Sequence, residues 1–347
     1  MTVGMRILKF FGFTSKPFQL TPNPEFLFLT PSHREALAQL IYGIQEQKGF
    51  MLMTGEVGTG KTTVLRTLVQ RIGDHANSAF IINSTLPFDE MLEYALADLG
   101  VSDPRGTRAQ RLIALNRFLI EQRRAARNTI LIVDEAQNLS IETLEQIRLL
   151  SNFETNSAKL LQIVLSGQPE LYAKLQRPEL RQLKQRIGLR CRLAPMTAEE
   201  VGQYIQSHLR VVAATRQPFT DEAIERIAAY SRGVPRIVNI VADHCLLCAY
   251  ANQTPVVDAD IVKRAIAYLE DKERDSRARW KPVASLTRMA LPRRVIVATS
   301  AGVVAGAAAV AGAMSPLGYP WAPHTASATL VAAIGGVVRW VTQRWGS

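Results

Sequence analysis

Gly55-Glu56-Val57-Gly58-Thr59-Gly60-Lys61-Thr62 spaces a glycine, four residues, Gly-Lys and a hydroxyl side chain, the pattern of a loop that wraps an anion. Glycines at 55, 58 and 60 permit positive φ and close backbone approach. Successive N–H groups can then point inward, in front of a helix N-terminus that itself favours negative charge. In such a loop the backbone from Gly55 through Thr63, including Glu56, Val57 and Thr59, cradles the phosphates. Lys61 reaches the β- and γ-phosphates as a point charge, and the Thr62 hydroxyl completes the shell of Mg²⁺. The second chemical stretch is Thr129-Ile130-Leu131-Ile132-Val133-Asp134-Glu135. Its apolar run predicts a strand buried on both faces that delivers two acids at its C-terminal edge. Asp134 there holds the metal ion, directly or through water, and Glu135 orients and deprotonates the attacking water.

Elements of the right kind must position these residues, and the pattern supplies them. Gly49–Met53 is a short apolar run of strand length, and Thr62–Ile72 follows with Leu65, Leu68, Val69 and Ile72 on one helical face. A strand over Ser78–Asn83, a helix around Phe88–Leu99 and an arginine-studded helix from Thr107 to about Arg124 come next. Leu160–Leu165 is another buried strand, ending in Ser166-Gly167-Gln168-Pro169-Glu170. A polar side chain at that strand end lies near the γ-phosphate; Gln168 is the first choice for it and Ser166 the second. Arg181, Lys184, Arg186, Arg190 and Arg192 crowd a helix–strand junction. From Thr197 the pattern turns to helices over 198–209, 221–230, 235–250 and 259–269, with Thr220-Asp221 and Asp258 as N-terminal signals. The turn Gly233-Val234-Pro235-Arg236 can swing Arg236 over the nucleotide. Ahead of a predicted helix from Arg34 to Gln47, residues 1–32 are rich in Phe and Pro and read as an extended strap. The strap is either packed on the core or forms a wall of the adenine pocket.

The net charge of +11 belongs to the end of the chain: from Arg277 onward there are eight Lys/Arg and no Asp or Glu, leaving +3 for residues 1–276. That argues against a nucleic-acid-binding core, although the arginines of the 107–124 helix keep that use open. Three cysteines cannot make a disulfide framework, and Cys245-Leu246-Leu247-Cys248 lies in an apolar helical run that suits core packing. No signal peptide is read at the N-terminus.

Together these residues resemble the AAA+ ATPases, and more narrowly the ExeA/GspA-like ATPases of bacterial secretion, over about residues 8–270. The likeness rests on Phe11-Gly12-Phe13, Lys16-Pro17-Phe18, Thr54–Thr63, Val133-Asp134-Glu135-Ala136-Gln137, Ser166-Gly167-Gln168-Pro169-Glu170-Leu171 and Gly233-Val234-Pro235-Arg236. It implies an α/β P-loop fold with a five-stranded parallel sheet, the Asp-Glu strand apart from the phosphate-loop strand, and a C-terminal helical lid. It also implies a homo-oligomeric ring in which an arginine of one protomer reaches the γ-phosphate held by its neighbour. Arg186 best matches that finger, and Arg236 matches the lid arginine that senses the nucleotide.

Val295–Leu317 is a 23-residue stretch without a charge, about 34 Å as a helix and enough to cross a bilayer core of about 30 Å. Gly302-Val303-Val304-Ala305-Gly306 gives it a GxxxG contact side. A second apolar run, Ala326–Val338, ends at Arg339, with Trp340 and Trp345 as interfacial anchors. Arginines flank both runs and the connection between them has no Lys or Arg, which suits a hairpin with both ends in the cytoplasm.

The expected organisation is a strap (1–32), a P-loop α/β domain (33–195), a lid (196–270), a basic linker (271–294), a membrane helix or hairpin (295–338) and a basic tail (339–347). The expected protein is an inner-membrane ATPase facing the cytoplasm that hydrolyses Mg-ATP to assemble or energise a secretion, pilus or polysaccharide-export complex with envelope partners. The alternative is a DNA-binding AAA+ ATPase similar to the targeting proteins of transposition.

Overall fold

The computed structural model describes residues 3–20, 24–82, 85–101, 106–155, 158–214 and 216–279. Helix α1 (Val3–Phe11) and helix α2 (Pro31–Gln45) precede strand β1 (Phe50–Gly55). Then follow α3 (Lys61–Ile72), β2 (Ala76–Ile81), α4 (Phe88–Asp98), α5 (Arg108–Arg124), β3 (Asn128–Val133), α6 (Ile141–Leu150) and β4 (Leu161–Gly167). Short helices α7 (Pro169–Lys174) and α8 (Arg181–Arg186) lead into β5 (Ile187–Leu193), and α9 (Ala198–Val211), α10 (Asp221–Ser231), α11 (Pro235–Ala251) and α12 (Ala259–Arg279) close the series.

All five strands are parallel, in the order β2-β3-β4-β1-β5. The Asp-Glu strand β3 is therefore separated from the phosphate-loop strand β1 by β4, as the resemblance implied. Parallel strands covered by helices on both faces are apolar throughout, and Ile130–Val133 and Ile163–Leu165 are all buried. Each such side chain contributes about 1.5–3 kcal/mol relative to exposure. Register then fixes the chemistry: Val133 pairs with Leu165, and Leu165 with Leu52. Asp134 and Ser166, one residue further on, thus emerge at the same level of the sheet.

A second core belongs to the helices α9–α12, around Val201, Ile205, Ile227, Val238, Val241 and Cys245. Phe13 and Phe18 are buried in this same core. Cys245 packs there as a small apolar residue, its thiol pKa pushed up by burial. The N-terminal segment is not wholly extended, because Val3–Phe11 is helical. Its apolar face docks on α11, with Phe10 edge-on to Tyr250, and the prolines act only after Gly12. Strand β2 starts earlier than its apolar run, at Ala76, because pairing with Asn128 and Thr129 of β3 recruits polar residues. Helix α12 runs to Arg279. No helix among the described residues is long and apolar enough to cross a membrane; the stretch 295–338 lies outside the described residues.

Candidate functional site

Strand β1 ends at Gly55 and the chain turns through Gly58 (φ 80°) and Gly60 (φ 95°) into α3. Both glycines also meet close neighbours: a Cβ on Gly58 would stand 2.7 Å from the Arg236 Cβ, and one on Gly60 2.8 Å from His33 Nε2. No side chain caps α3 at Gly60, so its first N–H groups are left for an anion. Glu56 and Val57 are exposed at the loop tip, while Thr59 is buried and its Oγ1 donates to the Glu56 carbonyl at 2.8 Å. Lys61 is buried, with Nζ donating to the Gly55 carbonyl at 2.9 Å and the Glu56 carbonyl at 3.1 Å.

The acids face this loop. Thr62 Oγ1 donates to Asp134 Oδ2 at 2.6 Å, and Ser166 Oγ donates to Asp134 Oδ1 at 2.9 Å. The Glu135 N–H bonds the same Oδ1 at 3.0 Å, and Asp134 is 3% exposed. Glu135 stands in the left-handed region (φ 52°). Its Oε2 accepts from Gln137 Nε2 at 2.5 Å and from Gln168 Nε2 at 3.2 Å. Burial pushes the Glu135 carboxyl up, but the Gln137 and Gln168 bonds and the Lys61 charge outweigh it and leave the pKa below its ordinary value. The loops that carry these amides are tied together: the Gln168 N–H bonds Gln137 Oε1 at 3.1 Å. Lys174 Nζ on α7 donates to the Gln137 and Leu139 carbonyls at 2.5 and 2.7 Å.

A cavity of about 360 Å³ joins loop and lid, lined by Lys61, Thr62, Thr63, Glu135, Phe28 and Arg236 among others. The lid reaches the loop through the start of α11, where the Arg236 N–H donates to the Gly58 carbonyl at 3.4 Å. Phosphate and metal both fit these residues. The loop offers unpaired helix-terminal N–H groups and a lysine. A hydroxyl and a carboxylate 2.6 Å apart make an oxygen donor set suited to Mg²⁺, which keeps most of its remaining shell as water and phosphate oxygens.

Gln168 and Ser166 divide between the acids: Ser166 touches Asp134, and Gln168 touches Glu135. Arg186 precedes β5, in which Ile187 lies level with Phe50 and Leu193 with Gly55. It is therefore a strand's length, about 20 Å at ~3.3 Å per residue, from its own phosphate loop. Its guanidinium bonds Ser151 Oγ and Asn152 Oδ1, each at 2.6 Å. Gln137 and Lys174 had no assigned role in the sequence reading, because nothing local marks them. On the arginine-studded α5, Arg108 makes a bidentate pair with Asp89 (2.6 and 2.7 Å) and Arg111 pairs with Glu93. Arg117, Arg123 and Arg124 are exposed.

Residues 44–175 match a family model described as an AAA domain. Solved structures share the fold. The ORC2 protein of Aeropyrum pernix, in ADPNP–ADP complexes, superposes with TM-score 0.56 at 17% identity, covering 73% of this chain and 71% of that one. CDC6P of Pyrobaculum aerophilum does so with TM-score 0.55 at 18% identity, over 71% and 70%. Loop, sheet order and matched domain define an AAA+ protein. Within that class the chain is similar to a bacterial secretion protein. General secretion pathway protein A of Aeromonas hydrophila is 40% identical over 255 residues, 73% of this chain and 47% of that protein. The chain thus spans about half the length of that relative.

Proposed function

We propose that this chain hydrolyses Mg-ATP and uses an ATP-controlled homo-oligomer to assemble or energise a complex of the bacterial envelope. The supporting observation is the convergence on Asp134: the phosphate-loop hydroxyl of Thr62 and the strand-end hydroxyl of Ser166 meet one buried carboxylate, with Glu135 beside it. Thr62 and Asp134 hold Mg²⁺, which when bound neutralises charge on the β- and γ-phosphates. Lys61 moves from the loop carbonyls to the phosphates, a charge-assisted contact stronger than the ones it leaves. Glu135, kept ionised by its two amides, orients a water molecule and accepts its proton. The water oxygen attacks the γ-phosphorus, the bond to the β–γ bridging oxygen breaks, and ADP leaves with that electron pair. Arg236, against Gly58, links the lid to the state of the nucleotide. Arg186, too far to serve its own site, supplies charge to the γ-phosphate of a neighbouring copy in a ring.

The name of the related secretion protein supports a role in secretion, and pilus or polysaccharide export would use the same engine. Residues 295–338 anchor it in the inner membrane with the ATPase part in the cytoplasm. The helical lid (196–270) closes over the nucleotide, and the basic linker (271–294) and basic tail (339–347) flank the anchor. Duplex binding has weaker support, because Arg108 and Arg111 are committed to carboxylates of α4; a flat salt dependence of any duplex binding would agree.

The test is Mg-ATP turnover by the purified full chain, alone and in mixtures. Turnover is expected in the wild type and lost in Lys61→Ala and Arg186→Ala separately. It should return when those two variants are mixed. No turnover by the wild type would overturn the enzyme assignment, and no rescue in the mixture would overturn the finger.

A further inference from the structure

The ring of His33 touches the phosphate loop, and we propose that it is a positioning residue: by holding the Thr59 carbonyl it aims the Gly60 N–H into the anion cradle. The proposal rests on the reading of that loop as a triphosphate site. Thr30 caps α2, its Oγ1 accepting the His33 N–H at 3.2 Å. In return the Thr30 N–H donates to His33 Nδ1 at 3.2 Å. Glu or Gln usually takes this third helical position, and neither has a second ring nitrogen on the far side. His33 Nε2 lies 2.7 Å from the Thr59 carbonyl oxygen.

These partners fix the tautomer. A backbone N–H can only donate, so Nδ1 is the acceptor; a carbonyl can only accept, so Nε2 carries the proton. His33 as a residue is 5% exposed. Burial lowers its pKa, against the upward pull of the Thr59 carbonyl and the Glu200 charge, and so favours the neutral form that the two contacts require.

The consequence follows from peptide geometry. The Thr59 C=O and the Gly60 N–H belong to one planar trans unit and point in opposite directions. A carbonyl tied to His33 turns the N–H away from His33, toward the inside of the loop. A rotated peptide would present a carbonyl oxygen to the phosphates and repel them. Gly60 completes the fit, since a Cβ there would stand 2.8 Å from Nε2.

The two nitrogens can be tested apart, because an Asn side-chain oxygen stands near the place of Nδ1 and a Gln side-chain nitrogen near that of Nε2. Mg-ATP affinity and thermal midpoint are measured on the full chain. His33→Asn is expected to keep the midpoint near wild type but lose about five- to ten-fold in affinity, the worth of one hydrogen bond. His33→Gln is expected to keep affinity within about two-fold, whatever its midpoint. Wild-type affinity in His33→Asn, or affinity falling in step with the midpoint in both variants, would overturn the positioning role. A wild-type chain that does not bind Mg-ATP would instead remove the triphosphate site, and this inference with it.

Discussion

The phosphate side and the acid side of the cavity are built by different means. The phosphate side, Gly55 to Thr63, is mostly backbone, with left-handed glycines and a helix end without a side-chain cap. The acid side is side chains holding side chains: Asp134 between Thr62 and Ser166, and Glu135 between Gln137 and Gln168. Backbone donors bind an anion whether or not it reacts, whereas a carboxylate that must take a proton has to be aimed and kept ionised. The first side should therefore govern affinity and the second turnover.

Replacing the base gives the largest effect on the acid side. Glu135→Gln should lower kcat about 10²- to 10⁴-fold, the usual range for a lost general base. Lys61→Ala should weaken Mg-ATP binding about 10- to 100-fold through the lost charge-assisted contact, read by calorimetry. If Lys61→Ala bound normally and failed only in turnover, the division between the two sides would break.

Gln137→Ala sharpens the comparison. It should lower kcat about ten-fold with the KM for ATP unchanged. The pH profile adds a sign: Glu135 works only when ionised, and its lowered pKa puts the acid limb of kcat below the ordinary carboxylate range. Removing the Gln137 bond raises that pKa, so the limb should move to higher pH. A limb that stayed in place would detach Gln137 from the base. Lys174→Met, which frees the Gln137 and Leu139 carbonyls, should shift kcat in the same direction by a smaller factor. Arg236→Ala should have the smallest effect, a few-fold loss of discrimination between ATP and ADP, because its side chain is exposed.

What was legible in the sequence divides along the same line. The loop from Gly55 to Thr63 and the run ending in Asp134-Glu135 are contiguous, so spacing alone exposes them and their flanking apolar runs mark buried strands; that the sheet has five parallel strands was implied by the family resemblance. Gln137 sits two residues beyond Glu135 with nothing in its type to mark the contact. Lys174, on α7, reaches the Gln137 carbonyl only because β3 pairs with β4; Gln168, singled out from its strand end, owes its contact with Glu135 to the same pairing. Helix α1 was hidden because Phe and Pro density suggests an extended strap, yet the prolines fall outside Val3–Phe11. Histidine at 33 gives no local sign either, since its partner Thr59 is 26 positions away. Arg186 was legible as a conspicuous arginine but not by location, which depends on the direction of β5.

The most direct measurement is Mg-ATP binding and single turnover by purified Glu135→Gln beside the wild type. Separate binding and catalytic sides predict wild-type affinity for Mg-ATP and a bound triphosphate that persists uncleaved. Turnover at the wild-type rate, or loss of binding together with turnover, would contradict it.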